Sequence, residues 1–316
     1  MNKFIFKLVL FLIPIFSISV LGLLLPPTPR ASTSLLLSYI QKDKLLKTKE
    51  SPRMIFVGGS NLSFGLNSQM IKDELNINPI NTGVHANIGL QYMLNNTIQY
   101  IKAGDVVVLA PEYHIFFRDY HSTSEELFRS VFDVNPSKVQ LLSIQQAIRL
   151  IPYVTKYLIT KISPTEYFNI TENKIYGVNS FNEYGDTYTH WDLENEEFIP
   201  MYRIGTPFDR KAIIGIVRFK EAIERKKAKL FVTYPGLQDI SYMYNVETIQ
   251  KIENEYKKHD LQTLGYPERY KIPNDMMFNT PYHLNKKGVD RRTRLLIDDY
   301  KKTALYQSQK LVNLNR

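Results

Sequence analysis

The chain has 316 residues, a formal charge of +9 and no cysteine. That length holds one sizeable α/β domain with a short extra segment, and the lack of cysteine excludes disulfides, thiolate catalysis and thiolate metal sites together. The lysines and arginines are dispersed among acids with no arginine-rich arm or reading motif, so no nucleic acid is expected as partner, and the charge suits an anionic membrane or polysaccharide surface.

Lys3 and Lys7 precede an uncharged apolar run from Leu8 to Leu25 that is long enough to span a bilayer. The run ends in Leu23-Leu24-Leu25-Pro26-Pro27 without a small-x-small cleavage site. Residues 1–27 are therefore predicted to be a transmembrane signal anchor. Arg30, Lys42 and Lys44 balance Lys3 and Lys7 in the charge count, so the orientation rests on the tendency of an N-terminal anchor to carry a large following domain across. The expected location is a single-pass membrane protein with its domain on the extracytoplasmic side. Residues 28–52, with Pro-Pro-Thr-Pro and a lysine-rich run, read as a stalk containing one helical turn.

From Arg53 a short apolar run, Met54-Ile55-Phe56-Val57, stops at Gly58-Gly59 and presents Ser60 where a helix begins. Ser60 reads either as a helix N-cap or as a nucleophile at the carboxyl edge of a parallel sheet, the crevice where open α/β folds bind ligands. Asn67 to Leu75 has helical spacing, Pro79 to Val84 reads as a second strand ending near Gly83, and Asn87 to Ala103 as a second helix. Asp105 to Ala110 is a third, fully buried strand that runs into Pro111-Glu112-Tyr113-His114.

Alternation lapses over residues 115–207, which are expected to be an inserted subdomain or lid. It resumes with a helix from Phe208 to Lys226, a strand from Ala228 to Pro235, a helix from Val246 to His259, a last short strand around Met276 to Phe278, and a closing helix from Lys286 to Lys302. The fold class is α/β, a mainly parallel sheet with helices on both faces in a three-layer, flavodoxin-like arrangement. The domain is placed at 53–305 and a C-terminal tail at 306–316.

Four segments then meet at one edge of the sheet: Ser60, Gly83, the Glu112 turn, and His283 just before the final helix. A serine nucleophile needs a base, which a histidine from another loop supplies, and free N–H groups nearby would hold an oxyanion. His85 and His114 also fall on this edge and read as packed or ligand-facing residues. The run Tyr184 to Asp192 mixes aromatics with acids and reads as a sugar-stacking lid or an ordinary surface hairpin.

The order of these blocks resembles the SGNH (GDSL-like) hydrolase superfamily from about Arg53 to Lys302. The segment Asn279-Thr280-Pro281-Tyr282-His283-Leu284-Asn285-Lys286-Lys287-Gly288 is most similar to its membrane-anchored bacterial cell-envelope members. The resemblance implies Ser60 as nucleophile, His283 as base, and Gly83 with the Ser60 backbone as oxyanion hole. No metal or organic cofactor is implied.

The pattern departs from the family in three places. Gly59 replaces the first-block aspartate. Pro111-Glu112-Tyr113 lacks the third-block asparagine, for which Asn61 is a candidate substitute; Glu112, at the same edge among the oxyanion and substrate residues, reads either as a base or as an N-cap carboxylate. Thr280 stands three residues before His283 where the family has its catalytic aspartate, and Asn279 precedes it. Asp275 lies eight residues before His283.

Two readings follow. One is a membrane-anchored serine esterase or O-acyltransferase acting on ester groups of cell-surface polysaccharide or a related envelope polymer. The other is a non-catalytic SGNH-like glycan-binding or assembly-accessory protein, within an envelope biosynthesis complex.

Overall fold

The computed structural model describes residues 2–314. Residue 1 of the predicted anchor and residues 315–316 of the predicted tail lie outside them. Helix α1 (Asn2–Leu24) spans 23 residues, about 35 Å at the usual rise, against a hydrocarbon core of about 30 Å. Most of its side chains are exposed, Phe4 and Phe16 at 71% and Leu21 at 65%, until the last turn, where Leu23 packs against the domain. It is long and apolar enough to cross a membrane.

Residues 28–52 depart from the expected stalk. They form α2 (Pro29–Ser32) and α3 (Ser38–Thr48), and Tyr39, Lys42 and Leu46 of α3 are buried. Lys42 Nζ donates to the carbonyls of Asn81 at 2.9 Å and Gly185 at 2.6 Å, and burial pulls its pKa down to about 7. The lysine-rich composition hid this, because a lysine is buried here by feeding backbone carbonyls instead of meeting water.

The chain then runs β1 (Arg53–Gly58), α4 (Ser60–Ser63), α5 (Ser68–Leu75), β2 (Asn78–Asn81), α6 (Leu90–Ile98), β3 (Val106–Ala110), α7 (Glu125–Phe132) and α8 (Ile144–Ile162). It continues with α9 (Arg210–Arg225), β4 (Lys229–Thr233), β5 (Leu237–Gln238), α10 (Asp239–Tyr244), α11 (Val246–Lys258), β6 (Thr263–Leu264), β7 (Lys271–Ile272), β8 (Met277–Thr280), β9 (His283–Leu284), α12 (Lys286–Lys301) and α13 (Ala304–Leu314). Five strands form one parallel sheet in the order β2-β1-β3-β4-β6. The chain reverses its winding between β1 and β3, which opens a crevice at their carboxyl ends.

Side-chain alternation splits each strand between two apolar clusters. Ile55, Val57, Val107, Leu109, Leu230 and Val232 meet α6, α9 and α11 on one face. Met54, Phe56, Val106, Val108 and Phe231 meet α5 and α12 on the other. Both faces are covered, and so the strands read as continuous apolar runs.

Three further expectations change. The fifth strand of the sheet is β6, only two residues long, too short to leave a run in the sequence. The strand expected around Met276 is β8, which pairs antiparallel with β9 outside the main sheet. Residues 115–207 do not stand apart, since Leu127, Phe128 and Val131 of α7 belong to the same cluster as the sheet.

Candidate functional site

The carboxyl ends of β1, β2 and β3 converge so closely that only small residues fit. A Cβ on Gly58 would meet the Ala110 carbonyl oxygen at 2.6 Å, and one on Gly83 would meet that of Gly59 at 2.6 Å. At Gly59 it would meet Glu112 Oε1 at 2.7 Å. The lack of a side chain at Gly59 thus makes room for Glu112.

Glu112 is 3% exposed and reaches over the start of α4. Its Oε1 accepts the Asn61 backbone N–H at 3.1 Å and lies 3.4 Å from both Ser60 Oγ and Asn61 Nδ2. Its Oε2 lies 3.6 Å from His114 Nδ1. Burial draws the His114 pKa down, while the Glu112 charge opposes that shift. Both carboxylate oxygens are therefore turned toward groups at the sheet edge.

Two of the expected oxyanion donors, Asn61 Nδ2 and the Gly83 N–H, are otherwise engaged. Asn61 Nδ2 donates to the Ala110 carbonyl at 3.0 Å as well as toward Glu112. The Gly83 N–H donates to Asn81 Oδ1 at 3.0 Å. The same physics acts on both groups: a buried donor finds the nearest acceptor, which is the Ala110 carbonyl for Asn61 and the Asn81 side chain for Gly83.

His283 sits in a separate, tightly packed setting. Its ring stacks on Phe64 with centroids 4.1 Å apart, and its Nδ1 lies 3.0 Å from Asn279 Oδ1. Asn279 Nδ2 points to Tyr176 Oη at 2.8 Å, which turns its carbonyl oxygen toward the histidine. The imidazole proton is thus held on Nδ1, leaving the Nε2 lone pair free. Asn279 sets the tautomer that an aspartate would set, without its charge. Burial, followed by the neighbouring His190 and His85, pulls the His283 pKa down to about 3.

An open cavity of about 370 Å³ lies at this edge, lined among others by Ser60, His85, Glu112, His114, Arg118 and Tyr282. Tyr282, in the turn between β8 and β9, lines it, and His283, the first residue of β9, does not. Among the described residues, no hydrogen bond joins Ser60 to His283; the serine's partner is Glu112. His85 Nδ1 accepts the Asn87 N–H at 3.2 Å, so its other ring nitrogen is the one left for a ligand.

Sequence reasoning missed the side chain that holds Ser60's turn in place. Arg292 of α12 is 1% exposed and donates to the Asn61 and Gly65 carbonyls at 2.8 and 3.2 Å and to Asn61 Oδ1 at 3.2 Å. The signal was there: Val289, Arg292, Thr293, Leu296, Ile297 and Tyr300 share one buried helical stripe, and Arg292 is its one cation.

The Tyr184 to Asp192 run is no lid. Tyr184, Asp186, Thr187 and His190 are buried. Asp186 accepts from the Ser68 backbone at 2.7 Å, Ser68 Oγ at 2.8 Å and Asn81 Nδ2 at 2.8 Å. His190 Nε2 lies 2.9 Å from the Leu284 carbonyl oxygen. Asp186 and His190 fasten this segment to α5, β2 and β9.

Compared with models of known protein families and with curated proteins, the chain finds no match.

Proposed function

We propose that this chain is a membrane-anchored, SGNH-like glycan-binding or assembly-accessory protein, with its domain on the extracytoplasmic side, whose Ser60 cavity holds an envelope polysaccharide or related acylated polymer without cleaving it. Support for the SGNH-like, three-layer α/β/α reading comes from the order of the five parallel strands and the coverage of both sheet faces. Residues 115–207 are the elaboration on that core. The apolar α1, followed by a large domain, supports the anchored placement.

The observation that carries the binding reading is the Glu112 carboxylate, 3.1 Å from the Asn61 N–H and 3.4 Å from Ser60 Oγ. An oxyanion formed on a Ser60 adduct needs donors there and meets an acceptor. At about 4 Å and an effective dielectric near 20, two like charges repel by about 4 kcal/mol, roughly a thousandfold in rate. Asn279 adds to this through its missing charge, because it holds the His283 tautomer and cannot stabilise the imidazolium that proton transfer from Ser60 would form. Hydroxyl-rich ligands suit the cavity, since its carboxylate and imidazoles accept hydrogen bonds from sugar hydroxyls and its arginines donate to ring and carboxylate oxygens.

A second reading, a serine esterase or O-acyltransferase, is favoured by one observation: Ser60 faces an open cavity at the sheet's carboxyl edge while His283 keeps its Nε2 lone pair free. A fluorophosphonate probe applied to the full-length protein beside a Ser60→Ala control separates the two. The expected result is no Ser60-dependent labelling in the native chain, and its appearance in the double variant Glu112→Gln, Asn279→Asp. Labelling of the native chain that Ser60→Ala abolishes would overturn the binding reading.

A further inference from the structure

Helix α8 carries a stripe that the core does not use. Ile144, Ile148, Ile151, Ile159 and Ile162 are 82, 61, 62, 58 and 81% exposed. At 100° per residue they fall within about 80° of one another around the helix. The buried side chains Gln146, Leu150, Tyr157 and Lys161 occupy the opposite side. The helix is thus amphipathic twice over, with one face in the protein and the other a band of isoleucine facing outward. Scattered exposed leucines are ordinary on a monomer, but a band along the roughly five turns of one helix, interrupted by Thr155, marks an interaction surface.

What covers it is indicated by the neighbour of α8. The carboxyl end of this helix is fastened to the carboxyl end of α1, where the apolar segment stops. Gly22 packs directly against Leu158, leaving no room for a Cβ. Lys161 Nζ donates to the Pro26 carbonyl at 2.8 Å. Just beyond, Thr28 Oγ1 donates to Glu166 Oε2 at 2.6 Å, and Arg30 Nε to the Thr165 carbonyl at 2.8 Å. Because the segment after the anchor is clamped and not a free stalk, α8 is held where a spanning α1 leaves the hydrocarbon.

One further feature fits the same partner. Tyr167 and Phe168, which follow α8 on the anchor side, are 45 and 67% exposed, as aromatic residues are at a headgroup boundary. The α8 sequence contains no acid, but Arg149, Lys156 and Lys161 pair with Asp119, Glu125 and Asp133, so attraction to lipid is carried by the apolar stripe and not by net charge.

We propose that α8 is an in-plane membrane helix: its isoleucine stripe lies at the headgroup–acyl boundary of the same bilayer that α1 crosses, and it fixes the domain against the membrane. This rests on the membrane-anchored part of the reading above and is independent of the Ser60 chemistry. The partner is the lipid surface; a second copy of the chain is the competing occupant.

The native chain has no cysteine, so single cysteines can be introduced and labelled with an environment-sensitive fluorophore. The full-length protein with Ile151→Cys, Ile159→Cys, Ile13→Cys on the anchor, or Lys257→Cys on α11 is placed in vesicles of zwitterionic and anionic lipid. Quenching is read with doxyl groups near the headgroup or near the bilayer centre, and with aqueous iodide. The labels at positions 151 and 159 are expected to lose most of their emission to the shallow doxyl, little to the deep one and little to iodide.

The label at position 13 responds to the deep doxyl, and that at 257 to iodide alone. Iodide quenching at 151 and 159 equal to that at 257, with position 13 still quenched by lipid, would overturn the α8 proposal while leaving the anchor intact. Loss of lipid quenching at position 13 would remove the membrane reading itself and the proposal with it. Protection at 151 and 159 from both quenchers that disappears on diluting protein in lipid would assign the stripe to a second copy and would also overturn it.

Discussion

The two ends of the parallel sheet bury charge in opposite ways. At the amino end, Arg53 and Asp105 are 0 and 1% exposed and complete each other. Arg53 Nε donates to Asp105 Oδ1 at 2.9 Å, Nη1 to the Leu46 carbonyl at 2.6 Å and Nη2 to that of Tyr100 at 2.8 Å. Asp105 Oδ2 also accepts the Lys102 N–H at 2.7 Å.

At the carboxyl end, Glu112 is almost as buried, yet it faces neutral donors, a histidine and a cavity. A carboxylate whose acceptor sites are filled by a cation and the backbone organises structure. One left turned toward a cavity is available to a ligand, and the difference lies in partners and not in burial.

The sharpest way to break this comparison is to make the same change at each end. Asp105→Asn leaves the Arg53 guanidinium buried without its counter-charge and is expected to cost about 3–5 kcal/mol. Thermal unfolding of the detergent-solubilised chain reads that loss, and a change within error of native would erase the contrast.

Next comes Arg292→Met, which leaves three carbonyl-type acceptors around Ser60's turn unpaired and is expected to cost about 3 kcal/mol, with fluorescence of a ligand bound at the Ser60 cavity weakened as well.

Histidine burial is expected to contribute a smaller, pH-dependent effect. His190 and His283 have pKa values pulled down to about 4 and about 3, in both cases chiefly by burial. Above the unfolded value near 6.5 both states are neutral and no stability is lost. As pH falls below it, the unfolded chain takes up protons that the folded chain refuses, so each histidine removes roughly 2 kcal/mol by pH 5. His190→Phe is expected to flatten the loss of stability between pH 7 and pH 5 by about half; an unchanged slope would reassign it to carboxylates.

The smallest expected effect is that of Glu112→Gln, under about 1 kcal/mol, because the amide oxygen still accepts the Asn61 N–H. A cost matching that of Asp105→Asn would make Glu112 a structural residue.

Much of the sheet was readable in advance because its strands are buried on both faces. Val106 to Ala110 and Met54 to Val57 are runs that no surface position tolerates. The two-residue β6 carried no such mark, and α3 was disguised by lysines that reach backbone carbonyls. At the site, the glycines and Ser60 announced a turn at the sheet edge, and His283 announced itself by its place before α12. That Asn279 holds the His283 ring was also within reach, since four residues suffice for a hairpin to bring the two side chains together. Nothing local signalled that the Gly83 and Asn61 donors are already engaged, because their acceptors arrive from other strands.

By itself, then, the sequence determined the alternation of strands and helices, the apolar N-terminal segment and the residue types gathered at the sheet's carboxyl edge. These follow from periodicity and from chain order along parallel strands, which local composition encodes. Only the tertiary structure decided that Ser60 faces Glu112 and is not hydrogen-bonded to His283, that Arg292 holds the turn between them, and that α8 keeps an isoleucine face outward beside α1. Those are questions of which way a side chain points and what meets it. They are settled by contacts between segments distant in the chain, which no local pattern records.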